Sequence, residues 1–459
     1  MVVVGVAPLG YEARVSAVIL EVRRLVVLAA PIVVTQVGTM LMGVVDTLMV
    51  GSISREALAA AALGNVWTMG TLVIGMGLTL GIDPILTQAH GAGDGRAVGL
   101  ALQRGLVVAA IASVPTGLLW LLAGPALELA GQDPALAAMA HDYVQVQLPS
   151  VVGFLGFMVL RSYLQSRSIV APAMWVTLIA NVLNALLNWL LIFGELGAPA
   201  LGLRGAGIAT GVTRSLMLVG LAWWIWRAGL HRGSWTPWSR AALAPAGLLE
   251  IVRFGLPVGI QLGLEMWAFQ AATLFAGWLG EVELAAHTIV INLSSLSFMV
   301  PLGVAMAAVT RVGNLIGAGD RRGAQRASWV ALGAGAGVMV LSAISFVALR
   351  NELPAWYNGD PSVVALAAAL LPIAGAFQVF DGVQVVGGGV LRGMGRTRPA
   401  AVFNLLGYYV LGLPVAWWLA FTVDMGVVGI WWGLTLGLLV VAVLLVVWIG
   451  VRGPLRARL

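Results

Sequence analysis

The sequence predicts an all-α membrane protein with twelve transmembrane helices, set as two six-helix bundles related by a pseudo-twofold axis. Three observations predict it. The chain is built of long uncharged apolar runs, its arginines gather on one side of those runs, and its second half repeats its first.

Of 459 residues, 60% are hydrophobic and 10% charged. A soluble domain carries about 25% charged residues, so this chain must meet lipid rather than water. The net charge of +6 comes from arginine alone, with no lysine. The arginines punctuate apolar runs instead of covering one soluble face, so no nucleic-acid partner is expected. There is no cysteine, which excludes disulfides and thiolate metal sites. Residues 1–24 open with "MVVVGVAPLGYEAR", which lacks a basic stretch before its apolar one. It is a poor signal peptide and is read as a disordered or interfacial arm.

A bilayer core of about 30 Å needs about 20 apolar residues in a helix. Cutting the chain at its charges leaves spans near 25–51, 57–82, 105–127, 143–160, 168–194, 205–226, 254–280, 284–310, 327–349, 361–391, 399–423 and 425–451. Several exceed the minimum, which permits tilt. With the N-terminus inside, 21 arginines fall on the cytoplasmic side and only Arg55, Arg204 and Arg350 on the other. That asymmetry is the positive-inside signal and places both termini in the cytoplasm. Arg214 is left over, inside span 6.

The halves match at a near-constant offset. "PIVVTQVGTMLMGVVDTLMVG" (31–51) pairs with "PVGIQLGLEMWAFQAATLFAG" (257–277), and "GAGDGR" (91–96) with "GAGDRR" (317–322). Each half holds six spans, an even number, so the two have the same orientation and a site between or within them is expected near the midplane. The domains are read as the arm 1–24, an N-lobe 25–227, a cytoplasmic linker 228–250 and a C-lobe 251–459.

Three spans bury a lone carboxylate: Asp46, Glu265 and Asp381. Charge at the bilayer centre costs about 2.5–3.5 kcal/mol on insertion scales, so such residues face a bundle interior or a wet cavity and mark function. Polar neighbours share their helix faces. Gln378 and Gln384 flank Asp381 at i−3 and i+3, and Gln261 precedes Glu265 by four. Asn181, Asn184 and Asn188 form a stripe in span 5, and Thr210, Thr213 and Arg214 group in span 6. Asp46, Asn188 and Thr210 all lie about 8–9 Å below an outer helix end at 1.5 Å per residue, so they are expected to share a pocket. Arg214 is too deep to reach the interface easily and needs a partner. Asp46 is the nearest by depth, with helix carbonyls or the span 5 asparagines, or a lipid-facing or misplaced span, as alternatives. Asn181 is read as interhelical glue, His90 and His287 as structural, and Asp83 as a helix cap or headgroup-level residue. Met40, Met42, Met49 and Met266 suit either packing or a surface that accepts many shapes.

Enzyme signatures are absent: no H-E-x-x-H, no P-loop and no cysteine nucleophile. No enzyme activity, resident metal or cofactor is expected. Transport without a nucleotide site leaves an ion gradient as the drive.

The motifs "VDTLMVG" (45–51), "PILTQAHGAGD" (84–94), "LNWLLIFG" (187–194), "GAGIAT" (205–210), "LEMWAF" (264–269), "LAAHTI" (284–289), "VGNLIGAGD" (312–320), "DGVQVV" (381–386) and "LRGMGRTRPA" (391–400) run in order through the chain. On these residues it resembles the multidrug and toxic compound extrusion (MATE) family, NorM-type branch. The resemblance implies a V-shaped pair of bundles in a bacterial cytoplasmic (inner) membrane, a monomer exporting cationic or amphipathic small molecules against Na⁺ or H⁺. By motif, Asp46 corresponds to the N-lobe acidic residue and Asn184, Asn188 and Thr210 to its polar partners. Glu265 and Asp381 correspond to the C-lobe carboxylates, where Na⁺ would bind. Gln270 stands where eukaryotic members often carry a second Glu, and Arg214 is foreign to the pattern. A lipid-linked saccharide flippase of the same superfamily is the alternative; it calls for an arginine-lined cavity.

Overall fold

The computed structural model describes residues 11–456. Helices run α1 (Tyr11–Gly51), α2 (Arg55–Leu80), α3 (Asp83–Gly91), α4 (Gly95–Leu121), α5 (Ala123–Leu129), α6 (Pro134–Gln145), α7 (Ser150–Ser166), α8 (Ala171–Phe193) and α9 (Gly202–Arg227). The second half continues with α10 (Pro245–Leu279), α11 (Glu281–Gly317), α12 (Arg321–Ala348), α13 (Glu352–Ala355), α14 (Pro361–Gly393), α15 (Thr397–Asn404), α16 (Leu413–Trp417) and α17 (Gly426–Arg452). Among the described residues eleven stretches are long and apolar enough to cross a membrane, and the bent pair α6–α7 makes a twelfth.

The differences from expectation have local causes. Hydropathy reads span 4 as one helix over 143–160. In the structure it breaks between Gln145 and Ser150 and bends by 50°. Pro149 stands in the break and has no N–H to continue a helix ladder. The expected arm is helical from Tyr11 onward, and residues 1–10 lie outside the described residues. What orders this segment is a contact no local pattern shows: Glu21 is buried at 3% exposure. It accepts two hydrogen bonds from Arg311, at 2.8 and 2.9 Å. The linker is shorter than expected because α10 begins at Pro245, a residue suited to a first helical turn. Span 11 is partly π-helical, over Leu405–Gly412 and Trp418–Thr422.

The lobes exchange their first helices at the arginine-rich end. Leu25, Leu28, Ala29 and Ile32 of α1 are buried in a C-lobe core with Val304, Val312 and Val386. Ile251 and Val258 of α10 are buried in the N-lobe core. The same end carries the tightest backbone approaches between lobes. A Cβ at Gly77 would overlap the Gly259 backbone, and one at Gly81 would overlap the backbone at Ile251 and Gly255. Gly91 lies against Asn314, and Gly317 against Gln88. In lipid, helices associate by van der Waals packing, and small residues allow this contact. The interface is therefore sealed on the arginine-rich side.

Candidate functional site

The N-lobe polar residues converge. Asp46 is 7% exposed on α1. One of its oxygens accepts from Asn188 Nδ2 at 2.5 Å and the other from Thr210 Oγ1 at 2.7 Å. Asn188 Nδ2 also reaches Asn184 Oδ1 at 3.3 Å. α1, α8 and α9 thus deliver one side chain each to a single cluster around the carboxylate, and the asparagine stripe puts Asn184 one turn behind Asn188. Asn181 turns back on its own helix and donates to Thr177 O. Beside Asp46 lies a cavity of about 40 Å³, with Asn65 and Tyr143 on its far side. The Tyr143 hydroxyl donates to Asn65 Oδ1 at 3.2 Å. A water needs about 10–15 Å³ on this measure, so the space suits a few waters or a small ion, not a drug.

Arg214 does not pair with Asp46. Both carboxylate oxygens are occupied by Asn188 and Thr210, and no Arg214–Asp46 ion pair lies within 4.0 Å. The guanidinium instead lies 5.3 Å from the centre of the Phe154 ring, a cation–π contact. Its Nη1 has no hydrogen-bond partner among the described residues. Aromatic contact with α7 could not be read from the depth of α9 alone.

In the C-lobe, Glu265 on α10 accepts from Gln384 Nε2 on α14 at 3.1 Å. The same nitrogen reaches Asn404 Oδ1 at 3.4 Å. Asp381 lies one turn before Gln384, near enough to Glu265 for the two charges to act on each other. Among the described residues its Oδ1 has no hydrogen-bond partner, and neither do Gln384 Oε1, Gln378 Oε1 or the Tyr408 hydroxyl, all buried. Gln378 donates to Ser297 at 2.6 Å, tying α14 to α11. His287 reaches Thr273 at 3.1 Å between α11 and α10 and takes no part in the carboxylate cluster. Unpartnered oxygens around two carboxylates are the donor set that a proton or a hard cation would satisfy.

Between the lobes lies a cavity of about 410 Å³. Of the three predicted carboxylates only Glu265 lines it, with Gln261 on the same helix. Met76, Met158, Met266, Met299 and Met306 and the rings of Phe269 and Phe298 make its walls. Met266 is the single member of the four methionines singled out by sequence to reach it; Met42 is buried in the N-lobe core. The arginine-rich end of the cavity carries Arg161 and Arg392. Arg161 donates to Gln36 at 2.9 Å. Arg392 pairs with Asp83 at 3.5 Å. Asp83 is thus no exposed cap; it is 4% exposed and bridges the lobes.

Sequence reasoning missed Asn404, Tyr408, Arg161 and Arg392. Asn404 alone carried a signal, a lone amide inside a membrane span. Tyr408 sits on a π-helical turn, a feature frequent at functional sites but invisible to hydropathy.

A family model described as MatE matches residues 31–190 and again 257–418. The two matches start at Pro31 and Pro257, in register with the internal repeat. A protein of Mesorhizobium japonicum named probable multidrug resistance protein NorM is 37% identical over 443 residues, which is 93% of this chain and 92% of that protein. The crystal structure of a eukaryotic MATE transporter, AtDTX14, superposes with a TM-score of 0.89 at 26% identity, covering 96% of this chain and 98% of that one. A mutant of the Vibrio cholerae MATE transporter VcmN shares the fold at a TM-score of 0.84 and 19% identity, over 96% and 99% of the two chains. Two matches to one family model, in register with the repeat, and a full-length relative make this chain a member of the MatE family of multi-pass membrane proteins.

Proposed function

We propose that the protein exports cationic or amphipathic small molecules by antiport against Na⁺ or H⁺. The observation that carries this reading is the central cavity, large, methionine-walled and with the Glu265 carboxylate on its surface. Methionine is flexible and polarisable and suits ligands of many shapes. The relative from Mesorhizobium japonicum, named for multidrug resistance, points the same way.

The coupling follows from competition. Glu265 and Asp381, loaded with H⁺ or Na⁺, have their charge offset. Emptied, Glu265 presents an unpaired carboxylate to the cavity and attracts a cationic compound. A cation and a drug that compete for one carboxylate expel each other as the lobes alternate, provided each binds the two conformations unequally. A full switch from 1:99 to 99:1 needs about 5.5 kcal/mol of such difference. Asp46, on its own small cavity, is a second loading point. The arginine-rich face is the cytoplasmic face of a bacterial inner membrane on this reading, so the glycine-sealed interface is an outward-facing arrangement. The protein acts as a monomer, since each chain contains both lobes and the cavity between them.

The flippase alternative finds less support. Arg214, on which it rested, lies in the N-lobe over Phe154 and does not line the central cavity. Arg161 and Arg392 do line it, but Gln36 and Asp83 already engage them.

Dye efflux from proteoliposomes under separate Na⁺ and H⁺ gradients tests the proposal. Efflux under one gradient and not without it is expected. Efflux that ignores both gradients overturns it.

A further inference from the structure

A second cavity, of about 500 Å³, opens on the arginine-rich face of the C-lobe, where Thr397 separates it from the central cavity. It collects four guanidiniums from three places in the chain: Arg253 from the first turns of α10, Arg396 and Arg398 from the start of α15, and Arg452 from the end of α17. All four are exposed. Among the described residues no carboxylate lines the cavity. Arg253, Arg398 and Arg452 form no ion pair among the described residues. Glu250, one turn before Arg253, does not neutralise it within 4.0 Å.

Arg253, Arg398 and Arg452 are three like charges facing one space and repel one another, so the arrangement calls for an anion. Two further features say which kind. α15 begins in this cavity without a side-chain cap, so its first N–H groups and the positive end of its dipole add to the guanidiniums. The remaining walls are apolar: Phe254, Pro399 and Trp448. Trp448 lies one turn inside Arg452, at the end of the most apolar helix of the chain, where tryptophan marks the level of lipid headgroups. An anion site with an apolar wall at headgroup depth matches a phosphate that carries acyl chains.

We propose that this cavity binds the phosphate headgroup of an anionic phospholipid of the inner leaflet, with Arg398 and Arg452 as its principal ligands. The site adjoins the lobe interface, since Gly395 in its wall packs near Gln88, which donates to Gly393 O at 3.0 Å. The bound lipid therefore steadies the turn between α14 and α15 on which that contact depends.

The test uses the full-length protein in neutral detergent, titrated calorimetrically with short-chain phosphatidylglycerol, phosphatidylcholine of the same chains, and inorganic phosphate. Saturable binding of phosphatidylglycerol, much tighter than of the other two, is expected. In the double variant Arg398→Gln/Arg452→Gln that affinity is expected to fall about 30-fold, taking each arginine at its usual strength near an anionic surface. The double variant Arg96→Gln/Arg227→Gln removes the same charge from exposed positions on the same face of the N-lobe and is expected to bind as wild type. Equal affinity for the two lipids overturns the proposal. So does phosphate binding as tightly as the lipid, which makes the site one for a free anion. An equal loss in the N-lobe variant also overturns it, because the effect is then diffuse charge. The export reading is untouched by any of these results, since none measures transport.

Discussion

Asp83 at the start of α3 and Arg392 at the end of α14 meet at 3.5 Å, an N-lobe carboxylate against a C-lobe guanidinium. Both side chains are largely withdrawn from solvent, at 5% and 12% exposure. The pair closes the arginine-rich end of the central cavity, beside the glycine crossings of α2 with α10. An ion pair with these burials is strongly destabilising to break, by about 3–5 kcal/mol, because one charge is left uncompensated.

Removing that pair is expected to open the seal. In Asp83→Asn, Arg392 loses its counter-ion. The chain has no cysteine, so a single Thr310→Cys reporter needs no background removal. Thr310 is 1% exposed, on α11 beside Gln165 of the N-lobe. Maleimide labelling from the arginine-rich side is expected to rise at least about tenfold in the double variant, given the size of the broken interaction. Unchanged labelling would mean that the glycine crossings alone hold the seal.

Gly77 gives an independent handle. Any Cβ there meets the Gly259 backbone, so Gly77→Val must push α2 and α10 apart, at about 1–3 kcal/mol for overpacking. The same reporter is expected to label faster. Gly70→Ala is the control: its Cβ would lie 3.6 Å from Trp267, an ordinary contact. Labelling that rises equally in both variants would remove the special role given to the Gly77–Gly259 crossing.

Glu265→Gln and Asp381→Asn are expected to abolish export while folded protein remains in the membrane. Neither change removes volume, and the amide introduced by Glu265→Gln keeps an oxygen that can accept from Gln384. Drug resistance of cells carrying each variant, set against immunoblots of membrane fractions, measures this. Wild-type resistance at equal expression would sink the coupling role.

Asp46→Asn is expected to weaken the dependence of efflux on the driving ion, because the side chain held by Asn188 and Thr210 is then uncharged in every state. Arg214→Ala is expected to change that dependence far less, since the guanidinium makes no direct pair with Asp46 and acts on it only at longer range. Vesicle efflux at stepped ion gradients distinguishes the two. An Arg214→Ala profile that matches Asp46→Asn would show that the two charges act as one unit.

Much of the site was legible because it depends on helix spacing and depth. Asp46, Asn188 and Thr210 lie at one depth in three spans, and the structure joins them by hydrogen bonds of 2.5 and 2.7 Å. Gln384 lies one turn from Asp381, and it is the residue that reaches Glu265. Depth failed for Arg214, because depth ranks partners by height and says nothing of rotation about the helix axis. α9 turns Arg214 toward Phe154 instead.

The sequence by itself determined the number of spans, the repeat and the three carboxylates that cannot face lipid. These follow from hydropathy and from the cost of burying charge, which act along one helix at a time. Only the tertiary structure decided that Glu265 faces the central cavity while Asp381 stands outside its lining, that Asp83 bridges the lobes, and that α1 and α10 cross to the opposite core. Those facts depend on how each helix is rotated and crossed. In lipid, rotation and crossing are set by close packing of small residues and by polar contacts between helices distant in sequence. Glu21 with Arg311, and Gly77 with Gly259, are such contacts, and no pattern within one helix announces them.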